Sequence, residues 1–107
     1  MWLRLAAVII ALSVVVASRA DAEETIVLAS TTSVENSGLL ARILPEFTRQ
    51  TGISVRVLAQ GTGQALATAA RGDADLVLVH DPEAEQQFIA DGHGVDRRQV
   101  AWNDFVV

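Results

Sequence analysis

The sequence contains no cysteine, and it also lacks lysine and tyrosine. Its 107 residues carry eight basic side chains, all of them arginine, against 13 acids, which gives a formal net charge of −5. Without cysteine the chain can form no disulfide, no thiolate metal site and no cysteine nucleophile. Without a run of basic residues it lacks the charge with which nucleic-acid-binding proteins neutralise phosphates. The composition therefore argues against disulfide scaffolds, thiol enzymes and nucleic-acid binders.

The N-terminal residues have the pattern of a secretory signal peptide. Arg4 precedes thirteen residues, Leu5 to Ala17, whose only polar member is Ser13, and an A-x-A pattern ends at Ala22. A membrane-spanning helix is the alternative, but it usually needs about 20 apolar residues and this run is shorter. We therefore expect residues 1–22 to be a signal peptide, and the mature chain to be exported to the periplasm or secreted.

Strand-like and helix-like segments alternate along the rest of the chain. Short branched apolar runs predict strands at residues 25–29, 53–59 and 76–79. Helices are expected from residue 37 to Gly52 with a kink or break at Pro45, and at residues 64–71 and 82–91. Extended segments are expected at residues 99–102 and 105–107. This alternation predicts an α/β fold, a parallel sheet with helices on both faces. The chain ends on apolar residues, so we expect residues 23–107 to be the N-terminal portion of a longer domain.

Two loops follow the first two predicted strands, at the end of a parallel sheet where ligands usually bind. Both offer hydroxyl groups and backbone N–H groups at the start of a helix, which suits a small anion, and neither contains a base. The residues expected to bind the anion are Ser30, Thr31, Thr32, Ser33, Thr62 and Gly63.

Other interpretations of the same residues remain open. A single Ser or Thr before a helix is usually an N-cap, and Gly61 and Gly63 could merely form a turn. Ser33 or Ser37 could be the nucleophile of an exported α/β hydrolase or transferase, although no general base is apparent nearby. His80 and Asp81 are adjacent but do not make a metal-ligand set, so we expect neither a metal nor a cofactor.

Several segments in order resemble a known family. The N-terminal half of the mature chain resembles the start of a periplasmic solute-binding protein, through Ser30–Ser33, Asn36–Leu40, Leu44–Phe47 and Thr51–Ile53. Later segments narrow the resemblance to the tungstate-binding component of ABC-type tungstate transporters, through Gly61–Leu66, Gly72–Asp75, Val79–Pro82, Arg97–Gln99 and Asn103–Val106.

The resemblance implies a non-enzymatic protein with a periplasmic-binding-protein (type II) fold, in which two α/β lobes close on an oxyanion. The Thr-Thr-Thr-Ser loop of the family corresponds to Ser30–Ser33, with Ser30 in place of the first Thr, and Asn36 stands where Asp is common. The second lobe of the family, with an arginine ligand, is not in this sequence. The implied function is to bind tungstate, with molybdate as a second candidate, and to deliver it to a membrane permease. A truncated, non-functional fragment of such a protein is the alternative.

The chemistry of the loops adds a weak preference among oxyanions. A fully deprotonated tetrahedral oxyanion only accepts hydrogen bonds, so its ideal site offers only donors. Hydrogen phosphate also donates one, and Glu35 is the only acid close to the first loop. The loops therefore favour tungstate or molybdate over phosphate, and they do not distinguish tungstate from molybdate.

Overall fold

The structure is a computed structural model that describes residues 24–101. The predicted signal peptide and the predicted extended segment at residues 105–107 lie outside the described residues. Residues 94–101 follow the last helix and form no regular element. Between residues 24 and 101, no helix is long and apolar enough to cross a membrane.

Three parallel strands form the described sheet. They are β1 (Glu24–Thr31), β2 (Ile53–Gln60) and β3 (Leu76–Leu78), in the order β2-β1-β3. The register pairs Glu24 with Ile53 and Thr31 with Gln60 along the full length of β1 and β2. The shorter β3 pairs only with the second half of β1, and its last pair joins Ser30 to Leu78. This arrangement confirms the predicted parallel α/β fold and makes β1 the central strand.

Within residues 24–101, four helices connect and cover the strands: α1 (Thr32–Asn36), α2 (Leu39–Thr51), α3 (Thr62–Ala70) and α4 (Pro82–Ala90). Helix α3 packs on all three strands and on α4, whereas α2 packs on β2. The core contacts use small side chains, since Ala29 on β1 and Ala65 on α3 are both completely buried. Such small residues allow the helix backbone to lie close to the sheet.

The first helical segment begins earlier than predicted. We expected a single helix from residue 37, but α1 starts at Thr32, directly after β1. The cause is local, because the Thr31 side chain accepts a hydrogen bond from the backbone N–H of Val34 at 3.1 Å and so caps α1. Gly38, with a φ of 80°, then redirects the chain into α2.

Of the kink or break predicted at Pro45, the break does not occur. Helix α2 runs through Pro45 and ends where expected, at Gly52, whose φ of 73° is left-handed and whose N–H donates to the Thr48 carbonyl. A proline inside a helix removes the hydrogen bond to the carbonyl four residues earlier, here that of Ala41. Ala41 and Pro45 are both exposed, so water can solvate that carbonyl and the helix continues.

Asp75 extends the pairing of β3 with β1 beyond the strand itself. Its backbone N–H donates to the Val27 carbonyl at 2.8 Å, and its carboxylate accepts from the Val27 N–H, also at 2.8 Å. One residue therefore satisfies both backbone groups of Val27, which has no strand partner on that side. Asp75 fixes the amino end of the short strand β3.

Candidate functional site

The two predicted anion-binding loops meet at the carboxyl edge of the sheet. Thr31 and Gln60 are register partners in neighbouring strands, and each chain leaves the sheet at the next residue. Neighbouring strands lie about 4.8 Å apart, so the two strand ends are adjacent, while every Cα of α1 lies more than 8 Å from every Cα of α3. The fold thus places at one edge of the sheet the two segments that lie 30 residues apart in the sequence, Thr31–Ser33 and Gly61–Gly63.

The first loop changes from buried to exposed within four residues. Ser30 and Thr31 are buried, at 0% and 3% exposure, whereas Thr32 and Ser33 are exposed. The Ser30 hydroxyl donates to the backbone carbonyl of Leu78 at 2.7 Å. The Thr31 hydroxyl accepts from Val34, which leaves its own proton available for donation. The four hydroxyl groups therefore differ in what they offer to a ligand.

The exposed hydroxyls are the available donors. In the part of the chain that the structure describes, no partner atom bonds the side chains of Thr32 and Ser33. A hydroxyl used only as an N-cap would accept a backbone N–H, and in this loop Thr31 alone does so. Capping therefore explains one of the four hydroxyls, and Thr32 and Ser33 exceed what α1 requires.

The second loop presents an uncapped helix N-terminus. Helix α3 starts at Thr62 directly after Gly61, and no side chain caps it. The backbone N–H groups of Thr62, Gly63 and Gln64 have no partner within the helix, because the first intrahelical bond runs from Ala65 to the Gly61 carbonyl at 2.9 Å. We predicted this helix from residue 64, so its first turn was assigned to the loop. That first turn contains both Thr62 and Gly63.

Gly61 and Gly63 are not explained by a turn. The glycines with positive φ are Gly38, Gly52, Gly72 and Gly92, and neither residue of this loop is among them. A Cβ added at Gly61 or Gly63 would meet nothing within 4 Å. Neither backbone conformation nor packing within residues 24–101 demands glycine at these positions. Their effect is to leave the helix N–H groups open to close approach from outside.

The surroundings of the two loops carry little charge. Glu35 is exposed on α1, and Ser37 is used locally, since its hydroxyl donates to the Val34 carbonyl at 2.6 Å and accepts from Leu39. His80, beyond the end of β3, is also exposed, and the Asp81 carboxylate caps α4 by accepting from Ala84. Between residues 24 and 101, no group of three or more His, Asp or Glu side chains is placed to hold a metal ion.

A cavity that was not predicted lies elsewhere. It has a volume of about 440 Å³ and lies between β3, α3, α4 and the segment after α4. Its walls are mainly apolar, with Leu76 and Phe88 among them, and a Glu85–Arg97 ion pair of 3.5 Å borders it. None of the six predicted anion-binding residues lines it. The predicted anion-binding residues are therefore separate from this cavity.

Comparison with known proteins identifies the family. The PBP superfamily domain matches residues 16–107. This chain belongs to that superfamily. The parallel β2-β1-β3 sheet with its covering helices is thus part of a periplasmic-binding-protein-like domain.

Two similar curated proteins and one similar solved structure have tungstate in their names. The tungstate-binding protein TupA of Peptoclostridium acidaminophilum is 49% identical over 89 residues, which cover 83% of this chain and 31% of that protein. The TupA protein of Campylobacter jejuni is 40% identical over 75 residues, covering 70% and 28%. The solved structure of the tungstate ABC transporter protein from Geobacter sulfurreducens has a TM-score of 0.74 at 47% identity, covering 78% and 36%. This PBP superfamily chain spans about a third of the length of these relatives.

Proposed function

We propose that this protein binds a fully deprotonated tetrahedral oxyanion, tungstate or molybdate, in the periplasm and delivers it to the permease of an ABC transporter. The ligand contacts on this chain come from Thr31, Thr32 and Ser33 at the end of β1 and from Thr62 and Gly63 at the start of α3. Residues 1–22 act as the signal peptide that exports it. The names of the TupA relatives support tungstate as the ligand.

The open glycine loop is the observation that carries this proposal. Glycine in the middle of a helix costs roughly 0.5–1 kcal/mol relative to alanine, so Gly63, in the first turn, adds no stability to α3 that would explain its presence. Neither a positive φ nor a close neighbour in the described chain accounts for it. A ligand that approaches the helix N-terminus does account for it, because a side chain at this position would obstruct the backbone N–H groups.

The donors match an oxyanion in chemical type as well as in place. Thr31, Thr32 and Ser33 keep hydroxyl protons for donation, and the first turn of α3 adds backbone N–H groups. In residues 24–101 no carboxylate bonds to these donors, so hydroxyl oxygens are the only side-chain acceptors that the proposed contacts offer to a protonated anion. The O–H of hydrogen phosphate would find only these neutral acceptors in such a site, whereas tungstate and molybdate need donors alone.

Neither loop contains a basic residue, and this limits the affinity that the chain by itself can have for an anion. A helix N-terminus stabilises a nearby negative charge by only about 0.3–1 kcal/mol at an exposed site. Hydrogen bonds to a charged group contribute more, about 1.5–3 kcal/mol each. We infer that tight binding needs these donors together with groups from the part of the relatives that this chain does not span.

The alternative of a serine hydrolase or transferase has less support. A serine nucleophile needs a general base within hydrogen-bond reach. Among residues 24–101, no His, Asp or Glu side chain bonds the Ser33 hydroxyl, and Ser37 is bonded to the backbone of α1 and α2. The PBP superfamily is also a solute-binding class rather than an enzyme class.

Titration calorimetry with tungstate, molybdate, sulfate and phosphate tests the proposal. The protein is measured as expressed, and also as a chimera in which residues 24–101 replace the matching segment of the TupA protein of P. acidaminophilum. We expect the chimera to bind tungstate and molybdate more tightly than sulfate, and phosphate most weakly. A chimera that binds tungstate while this chain alone does not would identify the chain as a non-functional fragment.

Two alanine variants and a matched control locate the site. Thr32→Ala and Ser33→Ala should each weaken tungstate binding by about ten- to a hundredfold, since each removes one hydrogen bond to a charged ligand. Thr25→Ala removes an exposed hydroxyl from the opposite end of β1 and should leave the affinity unchanged. Equal affinity in all three variants and the parent would disprove the assignment of the first loop.

A further inference from the structure

We propose that Ser30 is a positioning residue of the oxyanion site and does not contact the anion. It fixes the end of β3 to the end of β1 and thereby sets the place of the donors that follow, Thr31 to Ser33. This assignment changes the sequence-based expectation, in which Ser30 is one of four equivalent hydroxyl donors. It presupposes the oxyanion site proposed above.

The geometry leaves Ser30 without a hydrogen-bond donor for a ligand. Its side chain is completely buried, and its hydroxyl donates to the Leu78 carbonyl at 2.7 Å. A serine hydroxyl has a single proton, so a bond to Leu78 uses its only donor. To reach an anion, the side chain would have to break this bond and leave the Leu78 carbonyl without it. The exposed hydroxyls of Thr32 and Ser33 carry no such cost.

The Ser30–Leu78 hydrogen bond lies where it can hold the carboxyl end of β3 against β1. Strand β3 has only three residues, and Ser30–Leu78 is its last pair with β1. Asp75 fixes the amino end of β3 to Val27, and the Ser30 hydroxyl adds a side-chain link at the carboxyl end. Immediately after this link, β1 enters the hydroxyl loop and β3 leads to the Asp81 cap of α4.

Loss of the Ser30 hydroxyl should therefore change the structure at both places where the chain leaves the sheet, after β1 and after β3. Ser30→Ala removes the side-chain link but leaves the backbone pairing of β1 with β3. We expect the protein to fold, with a looser carboxyl end of β3 and a displaced Thr31. Because Thr31 caps α1 through Val34, its displacement also moves Thr32 and Ser33.

The experiment compares Ser30→Ala with Ser33→Ala, a buried and an exposed hydroxyl three residues apart in the same loop. Each is made in the full chain and in the TupA chimera described above. The melting temperature without anion and the affinity for tungstate, measured well below melting, are the two readouts. Ser30→Ala should lower the melting temperature by about 4–8 °C, the effect of one lost hydrogen bond in a domain of this size. It should also weaken tungstate binding, whereas Ser33→Ala should weaken binding alone.

The conservative variant Ser30→Thr retains the hydroxyl. Threonine is also the first residue of the Thr-Thr-Thr-Ser loop in the tungstate-binding family that this sequence resembles. Ser30→Thr should restore both the melting temperature and the affinity. If Ser30→Ala weakens binding without lowering the melting temperature, Ser30 is a ligand and our assignment is wrong. If it lowers the melting temperature and leaves the affinity unchanged, Ser30 has a structural role only, which also overturns the assignment.

A spectroscopic readout separates this proposal from the proposed function. In amide spectra recorded without anion, Ser30→Ala should shift the signals of residues 31–33 and 79–81, because both strand ends move. Ser33→Ala should shift only its immediate neighbours. If the parent chimera binds no oxyanion, the proposed function fails, while the amide shifts still report whether Ser30 positions the loop. Unchanged signals at residues 31–33 in Ser30→Ala would refute the positioning role.

Discussion

Asp75 should be a stabilising residue, although its neighbour Asp73 should not. Both acids lie in the turn between α3 and β3, and both are exposed. The Asp73 carboxylate faces Arg71 at 3.4 Å, with both side chains more than 60% exposed. The Asp75 carboxylate instead accepts the backbone N–H of Val27 at 2.8 Å, on the central strand. We therefore predict a clear loss of stability in Asp75→Ala and little change in Asp73→Ala.

The expected magnitude follows from these contacts. A hydrogen bond to a charged group contributes about 1.5–3 kcal/mol, and the exposure of Asp75 favours the lower end, about 1.5 kcal/mol. In a domain of this size, 1 kcal/mol shifts the melting temperature by about 4–8 °C, so Asp75→Ala should lower it by about 6–12 °C. An exposed ion pair such as Asp73–Arg71 contributes about 0–1 kcal/mol, and Asp73→Ala should change the melting temperature by a few degrees at most.

Thermal melting and urea unfolding of the parent, Asp75→Ala, Asp75→Asn and Asp73→Ala are the assay. Asparagine keeps a side-chain oxygen that accepts from Val27 but loses the charge, so Asp75→Asn should fall between the parent and Asp75→Ala. The urea m-value should stay the same, because the surface exposed on unfolding does not change. Equal midpoints for Asp73→Ala and Asp75→Ala would show that the Val27 bond contributes nothing, and our reasoning about β3 would be wrong.

The fold could be predicted from the sequence because its signals are local. Apolar runs located all three strands, and glycine located the ends of the helices, since Gly52, Gly72 and Gly92 all have positive φ. The helix starts were harder to predict. Helices α1 and α3 begin at hydroxyl residues, Thr32 and Thr62, within two residues of the end of a strand and before any apolar periodicity appears. At Pro45 the general rule failed because the affected carbonyl lies on an exposed face.

The site could be predicted only in part. The position of both loops follows from the rule that ligands bind beyond the carboxyl ends of parallel strands. The difference between Ser30 and Ser33 does not follow from sequence, because the partner of Ser30 is Leu78, 48 residues away, and depends on the order of the strands. The role of Asp75 depends on the same pairing. Long-range partners of this kind carry no signal in a single sequence.

Two further predictions concern capping and charge on the helices. Asp81→Ala should destabilise the domain by about 0.5–2 kcal/mol, because it removes the N-cap bond that Asp81 accepts from Ala84 at 3.1 Å. Thermal melts followed by circular dichroism would measure this loss, with Glu83→Ala as the control variant. The second prediction is the titration of Glu46, whose hydrogen bonds from Arg49 and, secondarily, Gln50 lower its pKa to about 2. A lowered pKa means that the folded state favours the carboxylate. Its contribution is therefore present above pH 4.5, the ordinary value, and is lost as the pH falls toward about 2. Both side chains of the pair are more than half exposed, so we expect only a small effect on stability. Carboxyl NMR titration should give a Glu46 midpoint near 2 in the parent and a higher midpoint in Arg49→Gln. A midpoint of 4.5 in both proteins would mean that the Glu46–Arg49 pair does not form in solution.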